Sequence, residues 1–87
     1  MKVYVLTLVN LSTTDSGING EYVNKVFSDY EKATMELKKW KNDEYKIMTE
    51  DSGRKVTIET DEEDYVYMTW LDGEEGEIIE IKELEVN

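Results

Sequence analysis

The stretch SDYEKATMELKKWKN, residues 28–42, carries the one convincing helix pattern in the chain, and the rest of the fold must be built around it. Its apolar side chains recur at spacings of three, four and three, which places them on one face of a helix. These side chains are Tyr30, Ala33, Leu37 and Trp40. Ser28 and Glu31 match a capping box, so we expect the helix to begin there. A helix of about four turns cannot bury this stripe alone and needs a sheet to lie on.

The segments that precede the helix have the pattern of β-strands. VYVLTLVNL, residues 3–11, is apolar on both alternating sets. That pattern is typical of a central strand covered on both faces, or covered on one face and paired with a partner chain on the other. EYVNKVF, residues 21–27, fits a returning strand after a polar loop over residues 12–20. The loop ends in Asn19 and Gly20, a dipeptide suited to a hairpin turn.

Four further strand segments follow the helix and are joined by short turns. They span residues 45–49, 55–60, 65–71 and 77–86. Short connections favour antiparallel neighbours. The alternation of apolar and polar residues in the last segment is interrupted near Lys82 and Glu83, which indicates a bulge or an edge position. We therefore predict a single α+β domain, residues 1–87, with one twisted antiparallel β-sheet of about five to six strands and the amphipathic helix packed on one face.

Composition excludes several classes of function. The chain has 87 residues, no Cys and no His, so it has no disulfides, no thiolate nucleophile, no Cys/His zinc site and no histidine base. No apolar run approaches the roughly 20 residues that span a bilayer. The apolar segment after Met1 and Lys2 lacks a small-residue cleavage pattern, so we expect a strand rather than a signal peptide. We expect a cytoplasmic protein that is not an enzyme and that needs no cofactor.

Charge is the strongest feature of the composition. The 21 acids and 10 bases give a net charge of −11, and residues 43–87 hold 16 of those acids and 4 of the bases, a net −12. Such an excess repels nucleic acid and anionic lipid and attracts basic surfaces. The alternative is that the acids only keep the protein soluble.

The candidate binding site consists of acidic turns and the tyrosines between them. The turns span residues 61–64 and 72–77, at opposite ends of the segment that carries Tyr65 and Tyr67, and further acids follow on the last strand. Strand residues two apart lie about 6.6 Å from each other, a spacing that could imitate a row of phosphates. The predicted partner-binding residues are Glu59, Asp61, Glu62, Glu63, Asp64, Tyr65, Tyr67, Asp72, Glu74, Glu75, Glu77 and Glu80.

Other uses of these acids are less well supported by the sequence. The acidic turns lack the ligand spacing of an EF-hand loop, so we predict no dedicated metal site. Catalytic carboxylate pairs need one raised pKa in a cleft, whereas acids in turns stay hydrated. A charged sheet edge that only resists aggregation is the remaining alternative.

The acidic set resembles that of the small inhibitors that phages and mobile elements make against host defence nucleases, notably anti-CRISPR and anti-restriction proteins. The residues behind this resemblance are Glu59, residues 61–64, Asp72, Glu74, Glu75, Glu77, Glu80, Glu83 and Glu85, together with the small size of the chain. The segment EYVNKVFSDYEKATMEL, residues 21–37, also resembles a strand-then-helix signature of small phage and bacterial domains. The resemblance implies a non-enzymatic inhibitor that acts in the host cytoplasm. It would bind a basic surface of a nucleic-acid-binding enzyme by charge mimicry, without binding nucleic acid or membrane itself.

A second hypothesis belongs to another class of protein. The chain could be a structural or assembly module that forms a homodimer or an adaptor through the face bearing Tyr65 and Tyr67, or through an edge strand. Its acidity would then serve solubility alone, and association would persist in high salt.

Overall fold

The described residues of the chain form one five-stranded antiparallel sheet with a single α-helix packed against it, which confirms the predicted α+β class. The computed structural model describes residues 1–12, 17–51, 53–70, 73 and 75–86, with the backbone alone for residues 12 and 17–23. The elements are β1 (Lys2–Ser12), β2 (Gly17–Phe27), α1 (Tyr30–Lys46), a π-helical turn (Ile47–Asp51), β3 (Thr57–Asp61), β4 (Tyr65–Trp70) and β5 (Glu75–Glu85).

The first and last strands lie side by side in the middle of the sheet, whose order is β2-β1-β5-β4-β3. β1 and β5 pair without interruption from Lys2 opposite Glu85 to Ser12 opposite Glu75. The prediction that β1 is a central strand is therefore confirmed. Of the two interpretations of the pattern near Lys82 and Glu83, the bulge is wrong, because the pairing with β1 stays in register there. The edge position agrees with the structure on the other side of β5, where pairing with β4 ends at Glu80.

The helix covers one face of the sheet and closes the core there. Ala33 and Leu37 of α1 pack on alternate residues of the three inner strands, as the helical stripe predicted. These strand residues are Leu6 and Leu8 of β1, Val66 and Met68 of β4, and Ile79 and Ile81 of β5. Tyr30 and Trp40 are half-buried at the two ends of the stripe.

Both ends of the helix differ from the prediction. Asp29, rather than Ser28, is the N-cap, and its carboxylate accepts a hydrogen bond from the Glu31 backbone N–H at 2.9 Å. The strand predicted over residues 45–49 is wrong, because α1 continues to Lys46 and the π-helical turn follows. Nothing between residues 42 and 46 breaks a helix, and Ile47 continues the apolar spacing that begins at Leu37 and Trp40.

The predicted hairpin turn at Asn19 and Gly20 is also wrong. Both residues belong to β2, at a shift in its pairing with β1: Val9 lies opposite Tyr22, and Leu11 lies opposite Ile18. Three residues of β2 thus face one residue of β1, as in an enlarged bulge, a position where glycine is common. Residues 13–16 of the predicted loop lie outside the described residues.

Candidate functional site

The sheet presents one face to the helix and leaves the other, called here the open face, without a helix or strand over it among the described residues. Its central side chains follow from the strand register and are each half-buried by their neighbours. They are Val5, Val9, Ile78, Tyr65 and Tyr67. The open face is therefore apolar at its centre, and it carries both of the tyrosines that the sequence assigned to partner binding.

The Tyr67 ring packs over a glycine on the neighbouring strand. A Cβ atom added at Gly76 would lie 3.2 Å from Cε1 of Tyr67 and 2.9 Å from the carbonyl oxygen of Met68. The ring therefore occupies the space above Gly76. Next to it, the buried Thr69 hydroxyl donates a hydrogen bond to Glu59 Oε1 at 3.0 Å, which fixes the position of that carboxylate at the rim of the open face.

The acidic turn, residues 61–64, lies beside the helix. Lys41 Nζ lies 2.7 Å from Asp61 Oδ2, and the Tyr30 hydroxyl donates to Glu63 Oε2 at 3.3 Å. Burial raises the pKa of Tyr30, and the nearby Glu63 and Asp64 raise it further, so this phenol keeps its proton. All four acids of the turn are exposed. Two contacts with α1 thus hold an exposed array of carboxylates at a set position.

The remaining predicted acids do not form a single row. Glu75 is half-buried and accepts a hydrogen bond from the Trp70 indole at 2.8 Å. Glu80 lies on the open face, where Lys82 Nζ is 3.5 Å away. Glu83, two positions beyond Ile81, lies on the helix side. Asp72 and Glu74 lie outside the described residues.

Glu77 requires a correction, because it belongs to the core and not to an acidic surface. Its side chain is 1% exposed, and its neighbours across the strands are Asn10 and Met68. Its Oε1 has no hydrogen-bond partner among the described residues. Burial raises the pKa of Glu77 to about 8, with a further contribution from Glu44. The carboxyl group is therefore mostly protonated at neutral pH. In the sequence, Glu77 lies two residues before Ile79, and this spacing could have assigned it to the core face.

A cleft at one end of the sheet was not predicted. It is lined by Tyr4, Tyr30, Asp64, Ile81 and Glu83. The two aromatic rings meet edge to face, with centroids 5.3 Å apart and planes at 64°. The alternation of Tyr4 with Leu6 and Leu8 could have placed its ring on the helix side, but the approach of Asp64 depends on the path of the β3–β4 turn.

The described residues were searched for a metal-binding group and for a membrane-spanning helix. Within residues 1–12, 17–51, 53–70, 73 and 75–86, no group of three or more acidic side chains is placed to hold a metal ion. None of the helices in the described part of the chain is long and apolar enough to cross a membrane.

Comparison with known proteins found no match to any family model, curated protein or solved structure.

Proposed function

We propose that this protein is a non-enzymatic inhibitor that binds a basic, nucleic-acid-binding surface of another protein, such as a host defence nuclease. It offers carboxylates to that surface in place of phosphates. The observation that carries the proposal is the acidic turn, whose four exposed carboxylates are held against α1 by Lys41 and Tyr30.

The physical basis is electrostatic attraction to a preorganised array. A net charge of −12 on residues 43–87 speeds the encounter with a basic partner. Because the turn is already ordered, binding loses less conformational entropy there. The attraction between exposed charges is screened within about 8–10 Å at physiological ionic strength, so binding should weaken steeply with salt. In this proposal the protein is encoded by a phage or mobile element and acts in the cytoplasm of the host cell.

The test compares two doubly neutralised variants with the wild type. Glu62→Gln/Glu63→Gln removes two charges from the turn and leaves an amide oxygen that can accept the Tyr30 hydroxyl. Glu50→Gln/Asp51→Asn removes the same charge from exposed residues of the π-helical turn. Each protein is used at low and high salt to capture proteins from host lysate, followed by assay of nuclease inhibition.

We expect the wild type and the π-turn variant to capture and inhibit a nucleic-acid-binding enzyme at low salt, and the acidic-turn variant to lose at least most of that binding. Equal capture by all three proteins, unaffected by salt, would contradict the proposal.

The apolar centre of the open face favours a second candidate function, an assembly module. Two copies could pack Val5, Val9, Ile78 and Tyr67 against each other as a sandwich of two sheets. Light scattering at low and high salt separates the two functions. A dimer that persists in high salt and dissociates in Val5→Lys would support assembly, and a monomer at all salt concentrations would exclude it.

A further inference from the structure

One end of β5 has a neighbouring strand on one side only. β1 pairs with β5 as far as Glu85, whereas β4 pairs with β5 only from Trp70 to Tyr65, which lies opposite Glu80. The last contact on the β4 side is the hydrogen bond from Ile81 N–H to the Asp64 carbonyl at 2.9 Å. No described strand pairs with residues 82–85 on that side.

The directions of the main-chain groups follow from two hydrogen bonds. Ile81 N–H points toward β4, and Val86 N–H donates to the Met1 carbonyl on the β1 side at 2.7 Å. Because successive strand residues alternate, the N–H and C=O groups of Glu83 and Glu85 point away from β1. They form a short edge to which another strand could pair.

The cleft lined by Tyr4, Tyr30, Asp64, Ile81 and Glu83 lies beside this edge, since Glu83 belongs to both. It combines two aromatic rings, two carboxylates and an apolar side chain. A Lys or Arg side chain suits this combination, because its stem packs on apolar surface and its cation is attracted by carboxylates and ring faces. An uncharged side chain would remove water from Asp64 and Glu83 without replacing it by a charged partner.

We propose that this end of β5 binds an extended segment of the basic partner, which adds as a strand beside Glu83 and Glu85 and places one Lys or Arg side chain in the cleft. The inference rests on the proposed function and names the kind of partner segment that the protein recognises. The segment continues the line of β4. Alternate residues of an added strand face the helix side, so one residue enters the cleft and its neighbours point elsewhere.

A basic residue of the protein itself already contacts the cleft. Lys2 Nζ lies 3.6 Å from Glu83 Oε1, and more than half of each side chain is exposed. Exposed pairs of this kind contribute little to stability, so an incoming cation can exchange with Lys2. Asp64 has no salt bridge to any described residue, so its charge is available to the partner.

The test uses a short blocked peptide of alternating Thr and Val with a central Arg, and two matched peptides. In one the Arg is replaced by Gln, and in the other alternate backbone nitrogens are methylated so that strand pairing is blocked. Affinity is measured by calorimetry, and the bound position is measured by backbone amide shifts and hydrogen exchange of Glu83 and Glu85.

We expect the Arg peptide to bind the wild type and to slow exchange at Glu83 and Glu85. The Gln peptide and the variant Asp64→Asn/Glu83→Gln should each weaken binding by about tenfold or more, as expected for loss of charge-assisted contacts. Methylation should abolish binding. No binding by the Arg peptide, equal binding by the Gln or methylated peptide, or shifts confined to other strands would overturn the inference.

The single variant Glu83→Gln separates this inference from the proposed function, because it changes the cleft and leaves all four carboxylates of the acidic turn intact. Salt-sensitive capture of a nuclease by Glu83→Gln, with no peptide binding by the wild type, would overturn the inference alone. Peptide binding without any salt-sensitive capture would overturn the inhibitor function and leave the peptide site.

Discussion

Lys41 Nζ lies 2.7 Å from Asp61 Oδ2, so the helix holds the first carboxylate of the acidic turn. The carboxylate is about half exposed, at 52%, and exposed ion pairs contribute about 0.2–1 kcal/mol. We therefore expect Asp61→Asn to lower the free energy of unfolding by less than about 1 kcal/mol, and by less still in high salt. Urea unfolding measures this change, with Glu62→Gln as the control that removes a charge without that contact. A loss of several kcal/mol would contradict the prediction.

The N-cap assignment predicts opposite results for two adjacent residues. The Asp29 carboxylate accepts the Glu31 backbone N–H, so Asp29→Ala should lower the free energy of unfolding by about 1 kcal/mol. Ser28→Ala should change it little, because Ser28 precedes the cap. Thermal unfolding of the two variants checks the assignment. A larger effect at Ser28 would restore the capping box that the sequence indicated.

The buried Glu77 should make the folded protein less stable as the pH rises. The pKa of this group is about 8 in the folded protein and 4.5 in an exposed chain, so between these values the folded state binds the additional proton. The contribution of Glu77 is fully present below pH 4.5 and is lost as the pH rises through 8, with a slope of at most about 1.4 kcal/mol per pH unit.

Glu77→Gln should remove this part of the pH dependence, because glutamine has a similar shape and does not ionise. We expect the variant to gain stability relative to the wild type as the pH rises from 5 to 8.5, a range chosen to bracket most of the titration. Denaturant unfolding across this range measures the difference, with the exposed Glu50→Gln as the control. Parallel pH profiles for Glu77→Gln and the wild type would contradict the prediction.

The space around Gly76 on the open face is too small for a larger side chain without displacement of its neighbours. The Cβ of Gly76→Ala would meet the Met68 carbonyl at 2.9 Å and the Tyr67 ring at 3.2 Å. We expect a loss of about 1–3 kcal/mol, typical of overpacking. In a double-mutant cycle, Gly76→Ala should cost less stability in the Tyr67→Ala background than in the wild type, because only the contact with the backbone carbonyl then remains. Additive effects in thermal unfolding would show that the ring does not press on this position.

The sequence predicted the elements whose patterns reflect burial directly. The spacing of Ala33 and Leu37 identified the helix and the face on which it packs, and the two-sided apolar pattern of residues 3–11 identified a central strand. The short connections after the helix predicted antiparallel strands. Each of these features depends on local periodicity, which a sequence displays without knowledge of strand order.

The site was less predictable because it depends on which strands are neighbours. The alternation of Glu77 with Ile79 indicated the core, but the charge of Glu77 favoured assignment to the surface. Strand order could not be derived, so the central position of β5 between β1 and β4 was not predicted. The cleft between Tyr4 and Asp64 joins residues 60 positions apart, and only the folded path of the β3–β4 turn brings them together.

The pairing of β1 with β5 also determines when the nascent chain can fold. During synthesis, β1, β2 and α1 are made before residues 75–86. Until then β1 lacks the neighbour that joins it to β4, and Leu6 and Leu8 lack Ile79 and Ile81. Contacts of such long sequence separation form slowly. Completion of the sheet must therefore follow translation of β5, and until then the edge of β1 that pairs with β5 has no strand beside it.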